Sequence, residues 1–200
     1  MTTLRLHSIG QPRQAILKNN AVDVAQKYKQ TLSNNKAVAT AIPQPYSPFN
    51  WKLIVQDGNI LHYSFLDLAG NIRLFKQFTT SMILTLGNPT LVKSSLAYKH
   101  RTELEWKIAS LYDSSDNKVK QVWEHKDFLL FRQFARFPYT YRIDEQNKET
   151  CVWFSDHRYV FPELTPPFRY GMCNQGKDWL LYRLKRNREN VKVKLVPPSR

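Results

Sequence analysis

The chain has 200 residues, 42% of them apolar and 13% aromatic, which is enough to bury a sizeable core and excludes a disordered polymer. Thirty Lys and Arg against 16 acidic residues give a formal net charge of +14, a field that attracts nucleic acid, acidic lipid headgroups or phosphorylated ligands. Two cysteines are too few for a disulfide scaffold and fit a reducing compartment or an incidental pair; Met1–Gly10 lacks the apolar core of a signal peptide, and no run of roughly 20 apolar residues is present to span a bilayer.

Gln11–Ser33 reads as a surface helix, with Pro12 suited to its first turn and Ala15, Val22, Ala25 and Leu32 as a loose apolar stripe. Ile42-Pro43-Gln44-Pro45-Tyr46-Ser47-Pro48-Phe49 is an extended, rigid connection, because proline fixes φ and removes donors. Trp51–Gln56 and Ile60–Asp67 flank Asp57-Gly58-Asn59, a hairpin signal, and Ala69-Gly70-Asn71 turns into a further strand at Ile72–Phe78. Asn88-Pro89 opens a helical region in which Leu104, Ile108, Leu111 and Tyr112 follow helical spacing. Asp113-Ser114-Ser115-Asp116 breaks it and supplies an N-cap for a second helix reaching about Ala135, with Val119, Val122, Trp123, Leu130, Phe131 and Phe134 facing inward. Five strands follow, at Tyr139–Ile143, Thr150–Phe154, Phe168–Cys173, Trp179–Lys185 and Val191–Val196. The pattern predicts an α+β fold with antiparallel sheets, an N-terminal helix and a central helix pair. Residues 1–40 form the helix and its linker, and 41–200 a single α+β domain.

Catalytic motifs fail on inspection. Gly171-Met172-Cys173-Asn174-Gln175-Gly176-Lys177-Asp178 follows the phosphate-loop spacing until Asp178 stands where a hydroxyl must hold magnesium, and a strand follows where a helix is required, so a hairpin turn is expected. None of His7, His62, His100, His125 and His157 pairs at ligand spacing. Cys151 with His157 could be a nucleophile and base, but Cys151 opens an apolar strand, where cysteines are usually inert. Asp156 and Arg158 read first as a turn-stabilising ion pair. Basic and aromatic residues mix in Arg132, Arg136, Tyr139, Tyr141 and Arg142, in Arg158, Tyr159, Arg169 and Tyr170, and in the basic run Arg183, Lys185, Arg186 and Arg188. Such mixtures clamp phosphates, stack bases, or form a solvated rim.

Four segments resemble, in order, parts of the membrane-bound metal-dependent hydrolase family (the YdjM-like predicted inner-membrane hydrolases). They are Ala41–Trp51 with the hairpin bearing Tyr63; Phe128–Pro138, a helix ending in Arg-Phe-Pro; Val152–Tyr159, a strand leading to an Asp-x-Arg-aromatic turn; and Pro166-Pro167-Phe168. In that family a bundle of transmembrane helices carries the His and Asp metal ligands. The resemblance therefore implies an accessory soluble domain, excised from or encoded apart from that bundle; the Lys and Arg excess beside a membrane segment, with few cysteines, favours the cytoplasmic face of the inner membrane. It implies no cofactor in this chain, a divalent metal in the membrane part, and transmembrane helices of the same or a neighbouring protein as partners. The expected site is a shared polar and aromatic surface: Arg136 and Arg158 bind an anionic group, Asp156 orients one of them, and Trp51 supplies a wall. The alternative is a free-standing basic module for nucleic acid or an anionic membrane surface. An independent enzyme would need a metal or activated nucleophile that the sequence does not present.

Overall fold

A computed structural model describes residues 11–45, 47–70, 89–112, 115–174, 176, 178–186 and 188–196. The chain divides into two compact units, Met1–Ala109 and Ser110–Arg200. Together they hold two antiparallel sheets, an N-terminal helix and several short helices, the expected α+β class. No helix among the described residues is long and apolar enough to cross a membrane.

In the first unit, α1 (Gln11–Lys29) lies on a sheet ordered β1 (Val38–Pro43), β2 (Asn50–Asp57), β3 (Ile60–Asp67) and β4 (Lys107–Ser110). The helix buries Ala21 and Ala25, one turn apart, against Trp51, Leu53 and Val55 of β2, with Leu17, Val24, Tyr28 and Leu32 at the margins. Ala15, expected on this stripe, is exposed. Small side chains at i and i+4 let the helix approach the sheet closely, and Leu17, Tyr28 and Leu32 continue the same helical stripe to either side. Tyr28 closes this edge by stacking on Trp106 at 3.7 Å and hydrogen bonding His62 Nδ1 at 3.0 Å. The β2–β3 hairpin turns on Gly58-Asn59, with Gly58 at φ 60°, the left-handed value that a two-residue turn opening on glycine requires. β1 begins four residues before the expected extended connection; Pro43 ends it on a sheet edge, where a missing donor costs no ladder bond.

One expectation changes here, and another falls on residues that are not described. The strand at Ile72–Phe78 lies outside the described residues. The helix carrying Leu104, Ile108, Leu111 and Tyr112 does not form: α2 spans Pro89–Leu96, and Lys107–Ser110 is strand β4. Leu104 and Trp106 pack on the first core at a spacing of two while Ile108 is 69% exposed, so the helical spacing of these residues was coincidental and edge pairing to β3 satisfies the backbone.

The second unit is a meander of five antiparallel strands in sequence order: β5 (Pro138–Gln146), β6 (Glu149–Asp156), β7 (Tyr170–Asn174), β8 (Trp179–Lys185) and β9 (Arg188–Lys194). One face carries Val152, Phe154 and Met172 and packs on α3 (Asn117–Glu124) and α4 (Leu129–Phe134) through Val119, Val122, Phe128 and Phe131. The expected cap is present: the Asp116 carboxylate accepts from the Lys118 and Val119 N–H groups. The expected single helix to Ala135 is interrupted. His125 leaves helical geometry at ψ 137°, and a 3-10 turn, Lys126–Phe128, restarts the path into α4. That break rotates the apolar phase. Phe128 takes a fully buried place, whereas Leu130 and Phe134, expected inside, are 58% and 42% exposed.

The other face carries Cys151, Trp153, Cys173 and Leu184, with Tyr141 and Tyr182 beside them. Gly171 pairs with Trp153 across β6 and β7, and a Cβ there would come within 2.2 Å of the Val152 carbonyl and 2.7 Å of the Trp153 ring. The glycine that mimics the start of a phosphate loop is thus a packing requirement. The rest of that motif is a β7–β8 hairpin, in which Asn174 pairs with Trp179 and its Oδ1 accepts the Gly176 N–H at 2.7 Å.

Candidate anion-binding surface

The meander brings distant parts of the sequence to one end of the second sheet. The register aligns Phe154 with Tyr170, Tyr170 with Arg183 and Arg183 with Val193, and pairs Pro138 with Asp156. The start of β5, the end of β6, the start of β7 and the β8–β9 hairpin therefore share that end. Neighbouring strands lie about 4.8 Å apart, so the β6 terminus and the β8–β9 hairpin are separated by about 10 to 14 Å.

Asp156 organises this end. It is fully buried, and its Oδ1 accepts the Arg158 N–H at 2.8 Å, starting the 3-10 turn His157–Tyr159. Its Oδ2 accepts the Arg136 N–H at 2.7 Å and the Arg158 Nε–H at 2.9 Å. Arg158 also donates to the Phe134 carbonyl through Nη2, so one ion pair ties the end of α4 to the end of β6. Burial opposes the Arg158 charge, but the hydrogen bond and negative charge of Asp156 outweigh it, and the guanidinium holds its proton more tightly than an ordinary arginine. The expected turn-stabilising pair is what forms.

Rings gather on the same arginine. Its guanidinium carbon lies 5.0 Å from the Phe134 ring centre and 5.1 Å from that of Tyr159. Phe134 and Tyr159 lie parallel with centres 5.8 Å apart, and Phe168 meets both edge-on at 5.7 and 4.6 Å. Leu130 precedes Phe134 by one helical turn, so exposed apolar surface continues along α4. Around the rings stand exposed cations. Arg136 lies over the Phe137 ring at 5.4 Å, and Arg183, Lys185, Arg186 and Arg188 project from the β8–β9 hairpin and its approach. The opposite end of the sheet carries Asp144, Glu145 and Glu149, which pair with Arg142, Lys118 and Lys192.

Of the four residues expected to form a site, Arg136, Asp156 and Arg158 meet, through the Asp156 carboxylate. Trp51 belongs to the first unit, where it is 1% exposed and its indole N–H donates to the Pro48 carbonyl at 3.1 Å; its side chain is committed to that core. Three other basic residues singled out in the sequence serve internal ties. Arg132 donates to the Trp123 and His125 carbonyls, Arg142 pairs with Asp144, and Arg169 is 1% exposed and donates to the Lys185 carbonyl at 2.7 Å. The Phe134–Tyr159–Phe168 cluster, with Phe134 and Phe168 exposed and Tyr159 half-buried, has no counterpart among the sequence expectations. The adjacency of Arg158 and Tyr159 was its one sequence signal, since Phe134 follows an inward helical phase until the break at His125.

The cysteines also depart from expectation. Cys151 and Cys173 face each other in register and form a disulfide, so they are neither incidental nor free thiols. His157 follows Cys151 by six positions along β6 and its turn, about 17 Å or more in extended chain, and its ring lies against that of Tyr139 with centres 4.3 Å apart, so the two do not make a nucleophile and base. Among the described residues, one group of potential metal ligands comes together: Glu149, Cys151 and Cys173. Both sulfurs are consumed in the cross-link and Lys192 pairs with the carboxylate, so the set does not fit a divalent ion.

No family model, curated protein or solved structure matches the chain.

Proposed function

We propose that the chain is a non-catalytic accessory module that holds to an anionic membrane surface, as part of a membrane-bound metal-dependent hydrolase. The observation carrying this reading is the shared sheet end, where exposed Leu130, Phe134 and Phe168 are bordered by Arg136 and the Arg183–Arg188 cations. Apolar and aromatic side chains flanked by cations suit the boundary between lipid headgroups and acyl chains, and each basic residue near an anionic leaflet contributes about 1 kcal/mol. The resemblance to the hydrolase family supports the same setting. On that resemblance the divalent metal and its ligands would belong to transmembrane helices of the same or a neighbouring protein, and the basic excess favours the cytoplasmic face of the inner membrane.

The nucleic-acid alternative is less well served by the ring arrangement. Single-strand binders offer open ring faces to successive bases, whereas Tyr159, Phe134 and Phe168 pack on one another. Co-sedimentation of the full chain with anionic and zwitterionic vesicles, with a single-stranded oligonucleotide as competitor, tests the choice. The expected result is binding to anionic vesicles alone, persisting in the presence of the oligonucleotide. Tight oligonucleotide binding without vesicle binding overturns it.

A further inference from the structure

We propose that Cys151 and Cys173 form a thiol–disulfide exchange site, tuned by Lys192, whose reactant is a small dithiol. A side-chain cluster away from the basic sheet end surrounds the two sulfurs. Lys192 reaches from β9 over Tyr182 of β8, its Nζ 5.1 Å from that ring centre, and ends 3.7 Å from both sulfurs. Glu149 of β6 pairs with the same ammonium. A cation equidistant from both sulfurs of a cystine has no sulfur charge to meet while the bond is intact. Once it breaks, either sulfur can be a thiolate facing an ammonium, the arrangement that lowers a thiol pKa. The cysteines are 4% and 2% exposed, whereas the Lys192 and Glu149 side chains are 31% and 19% exposed, so this ion pair forms the solvent-side cover of the bond.

The chemistry balances with the dithiol as reductant. Its thiolate attacks one Sγ, the S–S bond breaks, and the electron pair leaves on the other cysteine sulfur, next to Lys192. The second thiol of the reductant, losing its proton to solvent, then attacks the mixed disulfide. The oxidised reductant departs as a cyclic disulfide, and the protein keeps two electrons and takes up two protons as its thiols. The loop closed by this bond, Cys151 to Cys173, contains Asp156, Arg158, Tyr159 and Phe168, so the bond restrains the segment that carries the ring cluster. The exchange site itself does not depend on what that cluster binds.

The test uses the full chain and measures alkylation of the reduced protein by iodoacetamide against pH, and the oxidised fraction in dithiothreitol redox buffers. Lys192→Met is expected to raise the pH midpoint of alkylation by about one unit. It should slow labelling at pH below both midpoints about threefold, since tenfold fewer thiolates are partly offset by their greater nucleophilicity, and at pH above both midpoints shift the buffer equilibrium about tenfold toward the disulfide. Glu149→Gln, which frees Lys192 from its counter-ion, moves each quantity the other way and serves if Lys192→Met fails to fold. Profiles for either folded variant that superimpose on the wild type overturn the proposal, as does air-oxidised protein that retains two free thiols. Reduction is also expected to speed amide exchange in residues 157–169; unchanged exchange there would remove the claim that the bond restrains this loop.

Discussion

Asp156 accepts three hydrogen bonds, one from the Arg136 N–H twenty residues before it and two from Arg158 just after it, and the basic end of the second sheet is built around it. Removing Arg158 leaves the buried charge with backbone donors alone. Arg158→Met is therefore expected to destabilise the protein by about 2–3 kcal/mol, at the low end for a broken buried pair because the arginine is partly exposed. In urea titrations the double variant with Asp156→Asn should lose less than the sum of the single losses; strict additivity would show that the two are not coupled. Gly171 makes a different demand, one of space rather than charge. Both atoms crowding its missing Cβ belong to β6, one of them backbone, so Gly171→Ala must separate the central strands and is expected to cost about 3 kcal/mol or more by thermal or urea unfolding.

At the scale of elements, the hairpins follow local chemistry closely and the helices less so. Gly58-Asn59 carries its own turn signal, and the strands beside it lie where alternation and turn residues place them. The β5–β6 turn is made by Asn147 and Lys148, both at positive φ, 49° and 64°. Lysine has no preference for that region, so Lys148→Gly, which supplies the favoured Asn-Gly pair, is expected to stabilise by up to about 1 kcal/mol; a lower urea midpoint would contradict this. The helical stretches were harder to read because their phase is set by breaks. The His125 cap turns Phe134 outward, and edge pairing converts the Leu104–Tyr112 spacing into a strand, and neither event leaves a mark in hydrophobic periodicity. The disulfide was illegible for a related reason. A separation of 22 residues says nothing until β6 and β7 are placed in register.

For the whole molecule, net charge was legible from composition, but its arrangement was not. The +14 excess does not distinguish cations committed to internal ties, such as Arg132, Arg142 and Arg169, from those gathered at one end of the second sheet. Strand order makes the distinction: five strands in sequence order place every other connection at the same end, those connections hold Arg158 and Arg186, and Arg136 just before β5 and Arg188 at the start of β9 join them there. Asp144, Glu145 and Glu149 at the far end are paired with Arg142, Lys118 and Lys192, whereas the cations at the near end project into solvent. This asymmetry, combined with exposed Leu130, Phe134 and Phe168, supports a surface-bound module over a uniformly basic one.

The most direct test is the partitioning of the full chain onto anionic vesicles across a salt series, compared with a variant carrying Arg136→Glu, Arg186→Glu and Arg188→Glu. At about 1 kcal/mol per basic residue, the variant is expected to bind at least a hundredfold more weakly at low salt, and the wild type to approach it as salt rises. Equal partitioning of the two proteins, or wild-type binding indifferent to salt, would contradict the account.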